Sequence, residues 1–355
     1  MESVPDVNVM KAAIFGGKGI VSLVERPDPK IKDATDAVVR VIRSCVCGSD
    51  LWYYRGLSQR PAGGPIGHEF IGVVEKVGDG IKSIAPGDFV ISPFTYNDGT
   101  CIHCRSGWQA NCANGGVFGA RDIDGGQGEF VRVPFADGTL VKVQGKNFSE
   151  ERLRSLLTLS DVMCTGNHAA VSAGVKEGST VAVVGDGAVG LCGVIAAKRL
   201  GASRIIALSR NPARQKLAKE FGAAEIVSER GDSAIKKVLE LTDSIGVDAV
   251  MECVGTGDSM NTAFGIARVG AVVGAVGVPH GVVVPVETAI FRNVGLRGGI
   301  APARRYIPEL LGDVISGKIN PGRVFDFETN LDGIAEAYKA MGERRAVKAL
   351  LKVSE

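Results

Sequence analysis

Three groups of residues have types and spacings that can do chemistry. The most compact is Asp98, Cys101, Cys104 and Cys112, a D-x2-C-x2-C-x7-C pattern. Short spacings of this kind bend a loop around one tetrahedral ion; thiolates bind zinc strongly, and a carboxylate oxygen is an acceptable fourth ligand. Four protein ligands leave no open position, so the expected site is a structural zinc, with Gly99 and Gly107 easing the bend. His103 lies inside the cluster but is surplus to a filled set and is expected to be a bystander. Core packing rarely crowds three cysteines into so short a stretch.

The second group is scattered: Cys47 in CVCGSD, His68 and Glu69 in GHE, and Asp161 in SDVMCTG. Each alone is bland, since a lone cysteine is usually a small buried hydrophobe and a carboxylate at 161 suits a helix cap. Taken together, a thiolate, an imidazole and a carboxylate with a fourth position left for water or substrate make a catalytic zinc site. Spacing does not show whether they converge.

The third group is the G-x-G-x-x-G turn Gly185, Asp186, Gly187, Ala188, Val189 and Gly190, which follows the apolar run VAVV and opens a helical pattern. That context gives the motif meaning: the first glycine permits the tight turn, the second lets backbone approach a pyrophosphate, and the third permits close helix–strand packing. The helix N-terminus then offers free N–H groups and partial positive charge to phosphate. An NAD site usually carries Asp or Glu at the end of the next strand, about 20 residues on. Here RIIAL runs into Ser209 and Arg210, with Arg214 one turn later and no acid in that stretch. Serine and arginine can hydrogen-bond and charge-pair with a 2′-phosphate, so the expected cofactor is NADP(H).

The elements that must position these groups divide near residue 150. Before it, DAVVRVIR, EFIGVVEKV, DFVISPF, EFVRVPF and TLVKV are short β-branched runs punctuated by Gly, Pro and Asp, as expected of a mostly antiparallel, barrel-like domain with long loops. SEERLRSLLTLSDVMCTGNHAAVSAG is helix-like. From Thr180, continuous apolar strands (TVAVVG, RIIAL, EIV, DAVMEC, AVVGAVG) alternate with helical segments, the signature of a parallel sheet covered on both faces. Gly201 and Gly222 follow helical runs, where a left-handed cap favours glycine. The tail holds helical pieces and a last apolar strand, AVKALLKV, which by periodicity can extend the sheet or return to the first domain.

Bulk properties exclude other classes. The 355 residues allow about two domains. A net charge of +2 argues against a protein driven to nucleic acid or a membrane surface by a basic field. No apolar run reaches the roughly 18 residues of a membrane span. Residues 1–9 lack the basic start of a signal peptide and are expected to form a short frayed extension. Eight cysteines in a chain of this length without a signal point to metal rather than a disulfide framework. The expected location is the cytoplasm.

From Met10 onward the chain resembles the zinc-containing medium-chain dehydrogenase/reductase family: GHEFIGVVEKVG, the cysteine lobe at 98–112, GDGAVG and the terminal fold-back pattern occur in that family's order. The resemblance implies an α/β protein with a GroES-like, mostly antiparallel β catalytic domain built from both chain ends (1–160 with 301–355) and a doubly wound Rossmann domain between them (161–300), with nicotinamide and zinc in the cleft. It implies an alcohol dehydrogenase holding two zinc ions per subunit, one catalytic and one structural, and acting on a small alcohol or carbonyl compound. By position Cys47, His68 and Asp161 match the catalytic ligands, Asp161 standing where many members carry cysteine. Glu69 matches a carboxylate beside the zinc and is an alternate ligand. Asp50 looks like the carboxylate that orients the ligand histidine. Asp98 replaces the first cysteine of the structural lobe. Ser49 matches the hydroxyl that hydrogen-bonds the substrate oxygen. Trp52 stands where several members carry a relay histidine, and with Phe94 it is expected to form an apolar pocket wall. Lys348 matches a basic residue near the pyrophosphate. The family often forms dimers or tetramers, bacterial members commonly tetramers, so a homo-oligomer is expected.

Within this class, polyol, sugar and amino-alcohol dehydrogenases share the same features; Trp52 and Phe94 favour an apolar substrate over a sugar. A zinc-free quinone or enone reductase needs neither the Cys47–His68 pair nor the lobe. A zinc-ribbon nucleic-acid module is opposed by the near-neutral charge.

Overall fold

The computed structural model describes residues 8–120, 123–145 and 147–355. Most of the expected frayed extension, residues 1–7, lies outside the described residues; the first strand is Val9–Gly17. The chain divides into two compact units, Met1–Asp161 with Pro302–Glu355, and Val162–Ala301. Asp161, assigned by the sequence reading to the middle domain, is the last residue of the first unit's leading segment.

In the first unit the β-branched runs form the strands Ala37–Cys45, Phe70–Val77, Phe89–Ser92, Phe130–Val133 and Val141–Lys142. Ala37–Cys45 pairs antiparallel with Phe70–Val77, with Ser44 opposite Phe70. That register sets the end of one strand, and hence Cys47, beside the start of the other, and hence His68 and Glu69. The ambiguous C-terminal run resolves in favour of a return: Ala349–Lys352 pairs antiparallel with Ala37–Cys45, Leu350 opposite Cys45, and parallel with Phe327–Asn330. The helix Ile334–Gly342 packs its apolar face, Ile334, Ala337, Tyr338 and Met341, into the same core as Val46, Leu51 and Leu351.

The helix-like stretch after 149 is two helices in sequence, Glu150–Thr158 and Val162–Ser172. The break between them is held by hydrogen bonds rather than by a breaker residue: Ser160 Oγ donates to the Phe70 carbonyl at 3.0 Å, and Phe94 N–H donates to the Ser160 carbonyl at 2.9 Å. Asp161 is thereby anchored next to the strand that follows Glu69.

The second unit contains a six-stranded parallel sheet in the order Glu225–Val227, Arg204–Leu208, Thr180–Val184, Val247–Glu252, Ala267–Ala275, Gly295–Gly298. Its central strands are buried on both faces, Val181, Ala182 and Val183 being fully inaccessible, which is why they read as unbroken apolar runs rather than alternating ones. Among the described residues, no helix is long and apolar enough to cross a membrane.

Candidate active site and metal centres

Cys47, His68, Glu69 and Asp161 meet in the first unit. One ligand atom from each lies within 4.8 Å of the others, and all four residues are buried. Cys47 Sγ is 3.6 Å and His68 Nε2 3.5 Å from the same oxygen, Asp161 Oδ2. Donors held tetrahedrally at zinc bond lengths stand roughly 3.3–3.8 Å apart, so this thiol, imidazole and carboxylate can hold a zinc ion. The electrostatics agree. Burial pushes the Cys47 thiol pKa up, Glu69 and Asp161 adding to the effect. Burial disfavours charged His68, but Cys47, Asp50 and Asp161 outweigh it and raise its pKa well above the ordinary value. Protons are therefore held where a cation belongs, and a metal entering such a set displaces them.

A supporting layer surrounds the ligands. His68 Nδ1 faces Asp50 Oδ1 at 3.6 Å, leaving Nε2 toward Asp161. Asp50 Oδ2 accepts from Cys47 N–H and lies 3.3 Å from the Tyr338 hydroxyl, which donates to Gln127 Oε1 at 3.0 Å; Gln127 Nε2 donates to the Cys45 carbonyl at 3.0 Å. Gly67, at φ +88°, permits the approach of Gln127: a Cβ there would fall 2.4 Å from its Cγ. Gln127 and Tyr338 were not singled out by sequence reasoning. Nothing in EAYKAM or GGQGEF marks them; their role comes from burial beside Asp50.

Lys348, matched by resemblance to a basic residue near the pyrophosphate, has its cation turned inward to a buried carboxylate. It is 1% exposed, and its Nζ donates to Glu69 Oε1 at 2.7 Å and to the Val46 carbonyl at 3.3 Å. A buried charge persists only when paired, and Glu69 is the partner. The other Glu69 oxygen, Oε2, is buried without a hydrogen bond, an acceptor left over in the ligand cluster.

Ser49 is half-buried at the start of the short helix Asp50–Tyr54, two residues from Cys47, and Trp52 lies one turn further on. Phe94 packs edge-on to His68, ring centroids 6.2 Å apart.

The lobe gathers Asp98, Cys101, Cys104 and Cys112 into a second group of ligand atoms within 4.8 Å of one another. Cys101 and Cys112 sulfurs are 3.9 Å apart, far from a disulfide bond and close to the separation of two thiolates on one zinc. Asp98 Oδ1 accepts from Thr100 N–H at 2.8 Å and Cys101 N–H at 3.0 Å, and Asn114 donates to Oδ2 at 2.7 Å. Burial opposes ionisation of Asp98, but these donors prevail and hold its pKa well below the carboxylate range. His103 is exposed and outside the cluster.

In the second unit the glycine turn joins Thr180–Val184 to the helix Ala188–Arg199. A Cβ at Gly190 would lie 2.0 Å from the Gly185 carbonyl, whereas one at Gly187 would meet nothing within 4 Å. Close packing therefore demands the third glycine, and the backbone at the second faces open space. Ser209 is buried, Arg210 is exposed, and Arg214 lies in the first turn of the helix Pro212–Phe221. The expectation of a site without an acid is incomplete: Asp186, from the turn itself, accepts from Ser209 Oγ at 2.7 Å and pairs with Arg214 Nη1 at 3.2 Å.

Comparison with known proteins agrees with this anatomy. Residues 33–145 match the family model of the alcohol dehydrogenase GroES-like domain, and residues 188–316 that of the zinc-binding dehydrogenases. Zinc-type alcohol dehydrogenase B of Aspergillus flavus is 34% identical over 357 residues, covering 98% of this chain and 82% of that one. Alcohol dehydrogenase TADH from Thermus sp. ATN1 superposes with a TM-score of 0.90 at 34% identity, covering 97% of this chain and all of that one. A zinc-binding dehydrogenase from Sinorhizobium meliloti solved with NADP gives 0.82 at 26% identity, covering 97% and 99%. With the GroES-like and Rossmann-like units both present and relatives matched across nearly the whole length, the chain belongs to the zinc-containing medium-chain dehydrogenase family, as an oxidoreductase of the zinc-type alcohol dehydrogenases.

Proposed function

We propose that this enzyme transfers a hydride between a small alcohol, or the corresponding aldehyde or ketone, and NADP(H), using one catalytic and one structural zinc ion per chain. The observation that carries this reading is the convergence of Cys47, His68 and Asp161, from three separate segments, on one buried point. A zinc ion held there supplies Lewis acidity, lowering the pKa of an alcohol hydroxyl or polarising a carbonyl. Asp50 fixes the tautomer and direction of His68. Ser49 accepts the hydrogen bond of the substrate hydroxyl and passes the proton outward. Phe94 and Trp52 form apolar walls that exclude water and favour a substrate with an apolar or aromatic body. Glu69, with Lys348 neutralising one of its oxygens, is the alternate ligand.

The open backbone at Gly187, with Ala188, Val189 and Gly190 opening the helix, supports binding of the pyrophosphate. Ser209, Arg210 and Arg214 support recognition of a 2′-phosphate. The lobe of Asp98, Cys101, Cys104 and Cys112 is the structural site, since its four donors complete a tetrahedron. Association into a dimer or tetramer is supported by Val283, Val286, Ile290 and Phe291, which are 58–79% exposed. The edge strand Gly295–Gly298, which follows them in the chain, pairs among the described residues only with Ala267–Ala275; exposed apolar area and an open edge of this kind favour association.

The test is zinc analysis of the purified protein combined with a spectrophotometric panel of alcohols, polyols, aldehydes and ketones against NADP(H) and NAD(H). Two zinc ions per chain and turnover abolished by chelation of the buried ion are expected. Full reductase activity in a verified zinc-free protein would overturn the reading and favour a quinone or enone reductase.

A further inference from the structure

The Ser209 hydroxyl and the Arg214 guanidinium, the groups offered above to a 2′-phosphate, already converge on an anion of the protein's own. Ser209 Oγ donates to Asp186 Oδ2 at 2.7 Å, and Arg214 Nη1 lies 3.2 Å from Oδ1 and 3.4 Å from the Asp186 carbonyl oxygen. Both side chains of the ion pair are largely shielded, at 14% and 19% exposure. The arrangement is held from several sides. Ser209 N–H donates to the Val227 carbonyl at 3.0 Å, and Gln215 Nε2 donates to the Ser209 carbonyl at 2.8 Å, so the strand end cannot turn its hydroxyl away cheaply. Asn211 caps the helix Pro212–Phe221 and places Arg214 in its first turn, where a cation opposes the helix dipole and needs a counter-ion.

We infer that Asp186 is the residue that discriminates between the two nicotinamide dinucleotides: its carboxylate competes with the 2′-phosphate of NADP(H) for Ser209 and Arg214, and accepts the ribose 2′-hydroxyl of NAD(H). A carboxylate that takes one hydroxyl donor and one guanidinium uses the partners a phosphate would use. The two anions cannot share them without mutual repulsion. An acid at the end of the second strand normally accepts the 2′-hydroxyl; here Arg204–Leu208 runs into Ser209, and a carboxylate comes to that serine from the glycine turn. Selectivity for NADP(H) is therefore lower than Ser209, Arg210 and Arg214 alone would confer. This assignment rests on the dinucleotide reading of the glycine turn.

The experiment compares wild type, Asp186→Asn and Asp186→Ala. Binding of 2′,5′-ADP and 5′-AMP is measured by calorimetry, and kcat and KM for NADPH and NADH with one carbonyl substrate. Asp186→Asn keeps a hydrogen-bond acceptor and removes the charge. It should tighten 2′,5′-ADP by about tenfold and move the NADPH-to-NADH ratio of kcat/KM about tenfold or more toward NADPH, through KM rather than kcat, as expected for removing one like charge at a partly shielded site. Asp186→Ala should shift the ratio the same way and also raise KM for NADH. A ratio unchanged within about twofold, or one moving toward NADH, would overturn the inference. Wild type that binds none of these nucleotides would overturn the dinucleotide reading itself, an outcome distinct from nucleotides that bind without responding to position 186.

Discussion

Two clusters of thiols and carboxylates in the same unit are assembled in opposite ways. The lobe takes its four donors from one loop, its outermost pair, Asp98 and Cys112, being 14 positions apart. Its members are mostly half-exposed, only Cys104 being buried. The second cluster joins Cys47 to Asp161 across 114 positions and buries every member. The lobe needs little around it: backbone N–H groups hold the Asp98 carboxylate and Cys101 N-caps the short helix Ile102–Arg105. The buried cluster needs a whole sheet. Strand register aligns Cys47 with His68, the pinned break after Thr158 delivers Asp161, and the returning C-terminal strand brings Lys348 to Glu69. A loop can fill all four positions of an ion, whereas a site that must leave one open needs donors fixed from outside the loop.

That contrast can be broken most sharply by deleting one ligand from each cluster. Cys47→Ala or His68→Ala should lower kcat/KM by about a thousandfold or more, since Lewis acidity is worth several kcal/mol, while melting temperature and dinucleotide affinity change little. Retained turnover in either variant, with zinc content verified, would remove the catalytic role. Cys104→Ala should do the reverse. Zinc should fall from two ions per chain to one, and stability should drop by several kcal/mol, about 10 °C in melting temperature. Turnover per folded molecule should stay within about threefold. Loss of activity in parallel with zinc, in protein that remains folded, would mean the two clusters do not divide the work in this way.

The buried ion pair refines the comparison, because the lobe has no counterpart. Lys348→Met should cost about 3–5 kcal/mol of stability, the Glu69 carboxylate being left buried and unpaired. Adding Glu69→Leu should recover much of that loss. Denaturant titrations of the single and double variants measure the coupling, and strictly additive losses would show that the two side chains do not act as a pair. The smallest expected effect belongs to Tyr338→Phe, which removes the hydroxyl between Asp50 and Gln127. Activity or zinc affinity should fall by about tenfold with the structure intact, as for other groups that support metal-bound histidines. An effect confined to thermal stability would make Tyr338 a packing residue only.

The amino-acid sequence by itself determined whatever is local. The lobe and the glycine turn depend on spacings within one short segment, and the change from short β-branched runs to alternating apolar strands and helices depends on the pattern inside each run; the structure has these features at those residues. The cysteine, histidine and carboxylates of the buried cluster could be nominated individually, because their types suit a metal, but their meeting could not be read from spacing. Tertiary structure decided that meeting, and with it the placements that the residues alone misdirected. Lys348, just before the last strand Ala349–Lys352, is drawn inward because a buried carboxylate requires a cation. Asp186, counted only as a variable position in a glycine motif, reaches Ser209 and Arg214 because parallel pairing sets Thr180–Val184 beside Arg204–Leu208. Charges are matched through space, and the neighbours that match them are chosen by strand order and register, which no short window of sequence contains.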